Sequence, residues 1–330
     1  MSSLSLDALV LVVVALAFGF FNGLHDSSNV VATVISTRAL SPRRALWLAA
    51  IANGVGPLVF GVAVATTIGH EVVAEEAVTL PVVYASLLAA IGWNVITLMV
   101  GIPSSTSHAL IGGIMGAVWA GYGLDAILVG GVEKILLALF LSPLLGMITG
   151  YYLVRLSYAL ARNATPRVNI WFKRGQILTA TTLALSHGTN DAQKTMGIIA
   201  LGLVATGSLK TFSVPTWVIL TSAVAMGAGT LFGGWSLIRT LGGRFYRVRP
   251  VHGFGAQTAS SIVILGAALL GGPVSTTHVV SSAIVGAGSA DRIQKVRWGV
   301  VNNIVISWFL TIPTAAGMGA LFYVVIDLVF

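Results

Sequence analysis

Residues 101–116 read GIPSSTSHALIGGIMG, and residues 272–286 read GPVSTTHVVSSAIVG. In both, Gly and Pro break an apolar run, hydroxyls follow, a His comes next and a small-residue apolar segment resumes. Hydrocarbon offers no partner to a free N–H or C=O, so such a break at membrane depth survives only where protein or a cavity surrounds it. Pro103 and Pro273 stop the preceding helix. Ser104 or Ser105, and Ser275 or Thr276, are suited to cap the next one. The capped end presents unpaired N–H groups and a positive dipole end, which together suit a small oxyanion. Two such ends facing each other would form a binding site.

Composition places these stretches in a bilayer. Of the 330 residues 56% are hydrophobic and 8% charged, against roughly a quarter charged in a soluble domain. The reading is an all-α polytopic membrane protein. The 38 glycines suit close helix packing in lipid. The net charge of +8 sits in short connections, so it reads as a topology determinant rather than a nucleic-acid surface, and no nucleic-acid partner is expected. There is no cysteine, which excludes thiolate metal sites, disulfides and Cys nucleophiles. The first 21 residues lack a basic stretch, so the first helix is expected to be retained rather than cleaved as a signal.

If basic connections face the cytoplasm, residues 6–37 travel inward, interrupted by the polar cluster Asn22, His25, Asp26, Ser28 and Asn29, and residues 45–68 return to an acidic segment at 70–76. Residues 81–122 read as a re-entrant broken-helix hairpin entered from outside, and 127–156 lead to the most basic connection. In the second half, residues 176–206 go out, interrupted by His187, Asn190, Asp191, Gln193 and Lys194, and 215–238 return. A second hairpin over 252–290 is entered from the cytoplasm, and 298–330 leave the carboxyl terminus outside, like the amino terminus.

The chain thus divides into 1–160, a basic connection 161–175, and 176–330. Asp26 and Asp191 lie 165 positions apart (191 − 26), His108 and His278 lie 170 apart (278 − 108), and so do Pro143 and Pro313 (313 − 143). Near-constant spacing argues for an internal duplication. Copies that begin on opposite sides are two inverted-topology repeats, the architecture of secondary transporters.

A carboxylate within an apolar run costs at least a few kcal/mol on insertion scales, so the repeated pair Asp26 and Asp191 points to function rather than to capping. His25 reads equally as a ligand or proton carrier and as a packing residue. His108 and His278 are expected to hydrogen-bond the breaks they follow. An oxyanion sharing a low-dielectric site with two carboxylates is repelled, so something positive must enter with it. Lys194 supplies one charge; a bound cation, or protons on Asp26, Asp191, His25 or the substrate, must supply the rest. An anion carried in this way is the substrate of a coupled symporter.

The clusters NGLHDSSNVVATVISTRAL (22–40) and SHGTNDAQKTMGIIALG (186–202), with PSSTSH and PVSTTH, together resemble the inorganic phosphate transporter family over essentially the whole chain. The resemblance implies an inverted-repeat transporter in the cytoplasmic membrane, a homodimer in form, whose hairpin tips hold phosphate. It makes Ser104, Ser105, Thr106 and Ser107, with Ser275, Thr276 and Thr277, the phosphate-binding tips, joined by Asn190 and Gln193. It makes Asp26, Asp191 and Asn29 coupling-ion residues, with His25, Lys194 and Gln257 beside them. No cofactor is expected beyond a co-transported proton or sodium ion, or a divalent metal carried with phosphate.

The family core is Asn-Asp-x-x-Asn in each half; here His25 replaces the first Asn and Lys194 the last. An ammonium in place of a neutral cation ligand favours proton coupling, or a neutral metal-phosphate complex, over sodium coupling. Sulfate is the alternative substrate within the family; a carboxylate able to accept a hydrogen bond from the substrate favours phosphate. The other classes are a channel and an enzyme, the latter with Ser105 and His108 or Ser275 and His278 as nucleophile and base. A mirrored pair of such arrangements suits a carrier better.

Overall fold

The computed structural model describes residues 5–70 and 73–328. Six helices form the first half: α1 (Leu6–Ser36), α2 (Pro42–Phe60), α3 (Ala63–His70), α4 (Leu80–Val100), α5 (Thr106–Tyr122) and α6 (Val129–Leu160). Six more follow: α7 (Val168–Ala205), α8 (Thr216–Phe232), α9 (Trp235–Arg239, continued by a π turn over Thr240–Arg244), α10 (Pro250–Leu269), α11 (Thr276–Asp291) and α12 (Trp298–Asp327). The protein is all-α; among the described residues strand pairing is limited to a single bridge, Val73 with Ile127. Helices α1, α4, α6 and α12 are each long and apolar enough to cross a membrane, and α8 with the segment 235–244, bent by 61°, makes a fifth such unit.

The polar clusters leave α1 and α7 unbroken: Asn22 to Asn29 and His187 to Lys194 lie within continuous helices of 31 and 38 residues. Their backbone bonds are satisfied within the helix, so only the side chains need partners. The breaks fall elsewhere. The run over 45–68 is divided at Gly61 (φ 83°), and the run over 215–238 at Gly233 (φ 72°), left-handed conformations that glycine adopts without a Cβ clash. The basic connection is shorter than 161–175, because α7 starts at Val168 and takes in Lys173 and Arg174. Of the acidic segment, residues 71 and 72 lie outside the described residues, as do 1–4 and 329–330.

Packing repeats between the halves. Helix α1 packs on α8 as α7 does on α2; α5 packs on α12 as α11 does on α6; α4 meets α12 as α10 meets α6. Exchanging each helix for the one six places on leaves this pattern unchanged. Two large apolar cores result among the described residues. One takes Leu11 to Phe18 of α1 and Ala192 to Leu203 of α7; the other takes Val30 to Ala32 of α1 and Leu183 and Ala184 of α7. Helices α1 and α7 therefore run between the cores in opposite directions, and Asp26 and Asp191 fall at the seam.

Close approach is secured by glycine. A methyl group on Gly116 of α5 would overlap the carbonyl of Ala316 in α12, and one on Gly286 of α11 would overlap the carbonyl of Met147 in α6. These glycines lie 170 positions apart (286 − 116). Gly116→Val is expected to prise α5 from α12 and cost about 3 kcal/mol, the upper range for overpacking. Loss of the monodisperse peak in fluorescence-detected gel filtration after mild heating measures it; an unchanged melting point would show the helices free to separate.

Candidate functional site

Both hairpins turn at the expected places. In the first, Gly101 closes α4 in the left-handed conformation, and Ser105 caps α5 by accepting from the His108 N–H at 3.1 Å. In the second, Ser275 caps α11, accepting from the His278 N–H at 3.3 Å. The two tips touch: the Ser107 hydroxyl donates to the Val274 carbonyl at 3.2 Å. Helices α5 and α11 thus aim their N-terminal ends at one place, the seam between α1 and α7.

Asp26 fills it. Its Oδ1 accepts from the Thr277 hydroxyl at 3.1 Å and faces His25 Nδ1 at 2.7 Å. Its Oδ2 lies 3.4 Å from both the Thr106 and the Thr276 hydroxyls, equivalent residues of the two tips. The Thr276 hydroxyl is nearer Asp191 Oδ2, at 3.0 Å, so its one hydrogen lies between two carboxylates that compete for it. The remaining oxygen of Asp191 is held by the Lys194 ammonium, which also reaches the Val274 carbonyl at 3.4 Å. Asn29 donates to the Thr277 hydroxyl at 3.0 Å. All these side chains are buried, none more than 4% exposed. The site is closed to both faces of the protein, and access requires the tips or the helices around them to move.

His187, outside the expected site set, completes the cluster. It lies one turn before Asp191 on α7, with Nε2 3.2 Å from Asp191 Oδ2 and 3.9 Å from Asp26 Oδ2. Its protonation is constrained from the far side. The Thr230 hydroxyl donates to the Met226 carbonyl, so it accepts from Asn53 Nδ2, which leaves Asn53 Oδ1 to accept from His187 Nδ1 at 3.2 Å. With its hydrogen on Nδ1, His187 leaves Nε2 close to two carboxylates but in hydrogen-bond geometry with neither. Asp26, His187 and Asp191 together offer three ligand atoms within 4.8 Å of one another, all buried.

The same accounting applies to His25. His25 Nε2 bonds the Thr97 hydroxyl at 3.0 Å, and that hydroxyl also lies 2.9 Å from the Trp93 carbonyl. His25 Nδ1 faces Asp26 Oδ1 at 2.7 Å, so a hydrogen on Nδ1 joins the ring to the carboxylate.

Other expected members stand outside this convergence. Ser104 accepts from Trp93 Nε1 at 2.8 Å and bonds Thr311 at 2.7 Å, anchoring the first break to α4 and α12. Gln193 Oε1 accepts from the Val64 and Ala65 N–H groups at the start of α3, and Gln257 bonds Thr33 and Thr179. Both glutamines satisfy helix ends and neighbours rather than the carboxylate cluster. Asn190 approaches the Gly272 carbonyl at 3.4 Å and leaves its own oxygen unpaired. The rings of His108 and His278 do not bond the breaks: they lie against each other with centroids 4.5 Å apart and planes tilted by 32°, and His108 Nδ1 and His278 Nε2 have no partner.

The description "Phosphate transporter family" matches residues 22–319, nine-tenths of the chain and both polar clusters with both tips. The chain belongs to this family. A relative in Rhizobium meliloti (strain 1021), named "Probable low-affinity inorganic phosphate transporter", is 44% identical over 97% of this chain and 96% of its own length. One of the same name in Bacillus subtilis (strain 168) is 43% identical over the whole of both chains. A solved structure, "The sodium-dependent phosphate transporter", is 25% identical and superposes with a TM-score of 0.89 over 99% of this chain and all of that one. A multi-pass membrane protein of the phosphate transporter family is not an enzyme. Accordingly, Ser105 and Ser275 accept from the backbone of the histidines that would have had to activate them, while those rings turn away.

Proposed function

We propose that this phosphate transporter imports inorganic phosphate with protons by alternating access across the cytoplasmic membrane. The observation that carries the reading is the convergence of Thr106, Thr276 and Thr277, from two helix N-termini, on a single buried carboxylate, Asp26. In the closed state Asp26 occupies the place where an oxyanion would accept the same hydroxyls and first-turn N–H groups. Phosphate takes over these donors as Asp26 withdraws or is protonated.

Charge bookkeeping supports the proton. Lys194 neutralises Asp191, and a second proton on the His25–Asp26 pair would neutralise the other carboxylate. A phosphate anion entering this neutral site needs at least one further positive charge, and His187 Nε2 is the position offered. A divalent metal carried with phosphate is the second reading, favoured by the Asp26, His187 and Asp191 oxygens and nitrogen. Sodium coupling, the property in the name of the solved relative, is opposed by the ammonium of Lys194 standing where a neutral ligand is expected. The halves are taken as inverted repeats with both termini outside, and the working unit as a homodimer.

Proteoliposomes test this directly. Radiolabelled phosphate uptake should follow an imposed proton gradient, be indifferent to sodium, and be spared by sulfate. Uptake driven by sodium alone would remove proton coupling, and full competition by sulfate would reopen the substrate. Addition of Mg2+ or Zn2+ separates the metal-phosphate reading, which requires metal to enter in step with phosphate. At the tips, Thr276→Val is expected to raise KM about tenfold or more, the scale of one lost hydrogen bond to a charged group, with Thr276→Ser near the native value. Equal effects of Val and Ser would show that Thr276 contributes shape and not its hydroxyl.

A further inference from the structure

Two short helices, α3 and α9, repeat one arrangement in the two halves. Each follows the glycine that breaks the preceding run, Gly61 or Gly233. Each starts on a side chain close to a carboxylate: Gln193 accepts from the Val64 and Ala65 N–H groups at 2.7 and 3.2 Å, and the Ser27 hydroxyl accepts from the Gly234 N–H at 2.8 Å. Each then closes on the end of a hairpin arm. The Thr67 hydroxyl donates to the Gly271 carbonyl, and the Thr240 hydroxyl, in the π turn after α9, donates to the Gly101 carbonyl, both at 2.9 Å. Gly101 and Gly271 lie 170 positions apart (271 − 101), the spacing of the tips themselves. Behind the first joint Gly272 meets Asn190, beside Asp191, and behind the second Thr97 meets His25, beside Asp26.

We propose, on the transport function and topology proposed above, that α3 and α9 are the outer and inner gates of the path, with Thr67 and Thr240 as their latches. The second hairpin is entered from the cytoplasm, so α3 covers its tip from outside; the first is entered from outside, so α9 covers its tip from the cytoplasm. The latch is the joint suited to part. A carbonyl past the end of a helix has no partner within it, and water can replace the threonine hydroxyl there at little net cost. The other attachment is deeper: α3 packs mainly on α7, with Gln193 fully buried, and α9 mainly on α1. Outward opening therefore parts α3 from Gly271 while it stays on α7, and inward opening parts α9 from Gly101 while it stays on α1. Ser236, which donates to the Leu98 carbonyl at 2.5 Å, adds a second bond to the inner latch. Gln193 ties the outer gate to the helix of Asp191, and Ser27 ties the inner gate to that of Asp26. Loading at each carboxylate thus reaches a different gate.

The chain has no cysteine, so one introduced thiol can report on a gate. Ala268, 2% exposed, packs against Val64 of α3. The experiment measures the labelling of Ala268→Cys by a membrane-impermeant methanethiosulfonate added outside intact cells, with gel filtration confirming that each variant folds. Thr67→Val should speed labelling about fivefold, the scale of one hydrogen bond, and Thr67→Ser should keep the slow rate. Thr240→Val, at the other gate, should not speed it. No acceleration by Thr67→Val, equal acceleration by both Val variants, or labelling only in inside-out vesicles overturns the proposal. These readouts need neither phosphate nor an ion gradient, so they fail or hold separately from the transport reading. In Val64→Cys/Ala268→Cys, bridging of the two thiols by Hg2+ should stop phosphate counterflow and dithiothreitol should restore it. Native counterflow by the bridged protein would show that α3 and the second hairpin move as one body, and also overturns the proposal.

Discussion

Asp26→Asn is expected to reduce proton-driven phosphate uptake by about 100-fold, which corresponds to losing roughly 3 kcal/mol of charge-assisted interaction. The substitution keeps the shape, and the amide oxygen still accepts from Thr277. It removes the negative charge opposite His25 and turns one of the two oxygens that the tips share into a donor. The proton held between His25 and Asp26 then has no second carboxylate to exchange with. Folding should survive, because Thr106 and Thr276 can reverse their hydroxyls and accept from the amide. Asp191→Asn is a poorer test: it strands the buried Lys194 ammonium, and removing one partner of a buried pair costs about 3–5 kcal/mol.

The decisive control is phosphate counterflow, which requires binding and movement but no net proton transfer. In the Asp26→Asn protein counterflow should persist and lose its dependence on pH. Accumulation of phosphate against a gradient by this variant would show that Asp26 neither carries the proton nor yields its donors to the substrate. Loss of counterflow in a folded protein would instead place Asp26 in the movement of the tips.

The tips were legible because their chemistry is local. Gly101 and Pro103, then Ser105, and likewise Pro273 and Ser275, specify a break and a cap within a few residues, and the structure places both caps there. The carboxylates were legible because an acid in an apolar run has no inexpensive explanation. His187 was less so, although a signal existed: it stands 165 positions after Asn22 (187 − 22) and one turn before Asp191. What decides its role is Asn53, and what orients Asn53 is Thr230. That chain runs from α7 through α2 to α8, and no periodicity in one helix announces a partner in another. Gln193 and Gln257 illustrate the converse. Gln193 lies within the motif and Gln257 on the helix leading to the second tip, both buried, yet tertiary packing spends them on α3 and on Thr33 and Thr179. The breaks at Gly61 and Gly233 were hidden for a related reason: a glycine among small apolar residues reads as packing until its backbone angle is known.

Lys194→Asn is expected to convert the transporter to sodium dependence. Lys194 occupies, with its own charge, a position facing Asp191 and the Val274 carbonyl. Counting from Asp191, it stands where Asn29 stands relative to Asp26, three residues on. Asn29 reaches the opposite tip through Thr277 as a neutral side chain. An asparagine at 194 would restore that arrangement and leave the Asp191 oxygen, the Val274 carbonyl and the new amide oxygen around a vacancy of one positive charge. Hard oxygen ligands of this kind suit a small monovalent or divalent cation. Without such a cation the variant buries an unpaired carboxylate, so in sodium-free medium its uptake should fall about tenfold or more, the equivalent of at least 1.4 kcal/mol. Added sodium should restore uptake, with the rate saturating in sodium, whereas the native protein should show no sodium response. Lys194→Met, which removes the charge without supplying a ligand, should lose uptake and gain no rescue. Rescue of the Met variant would show that sodium acts elsewhere, and a Lys194→Asn protein that transports normally without sodium would show that the ammonium is not part of the charge balance at the tips.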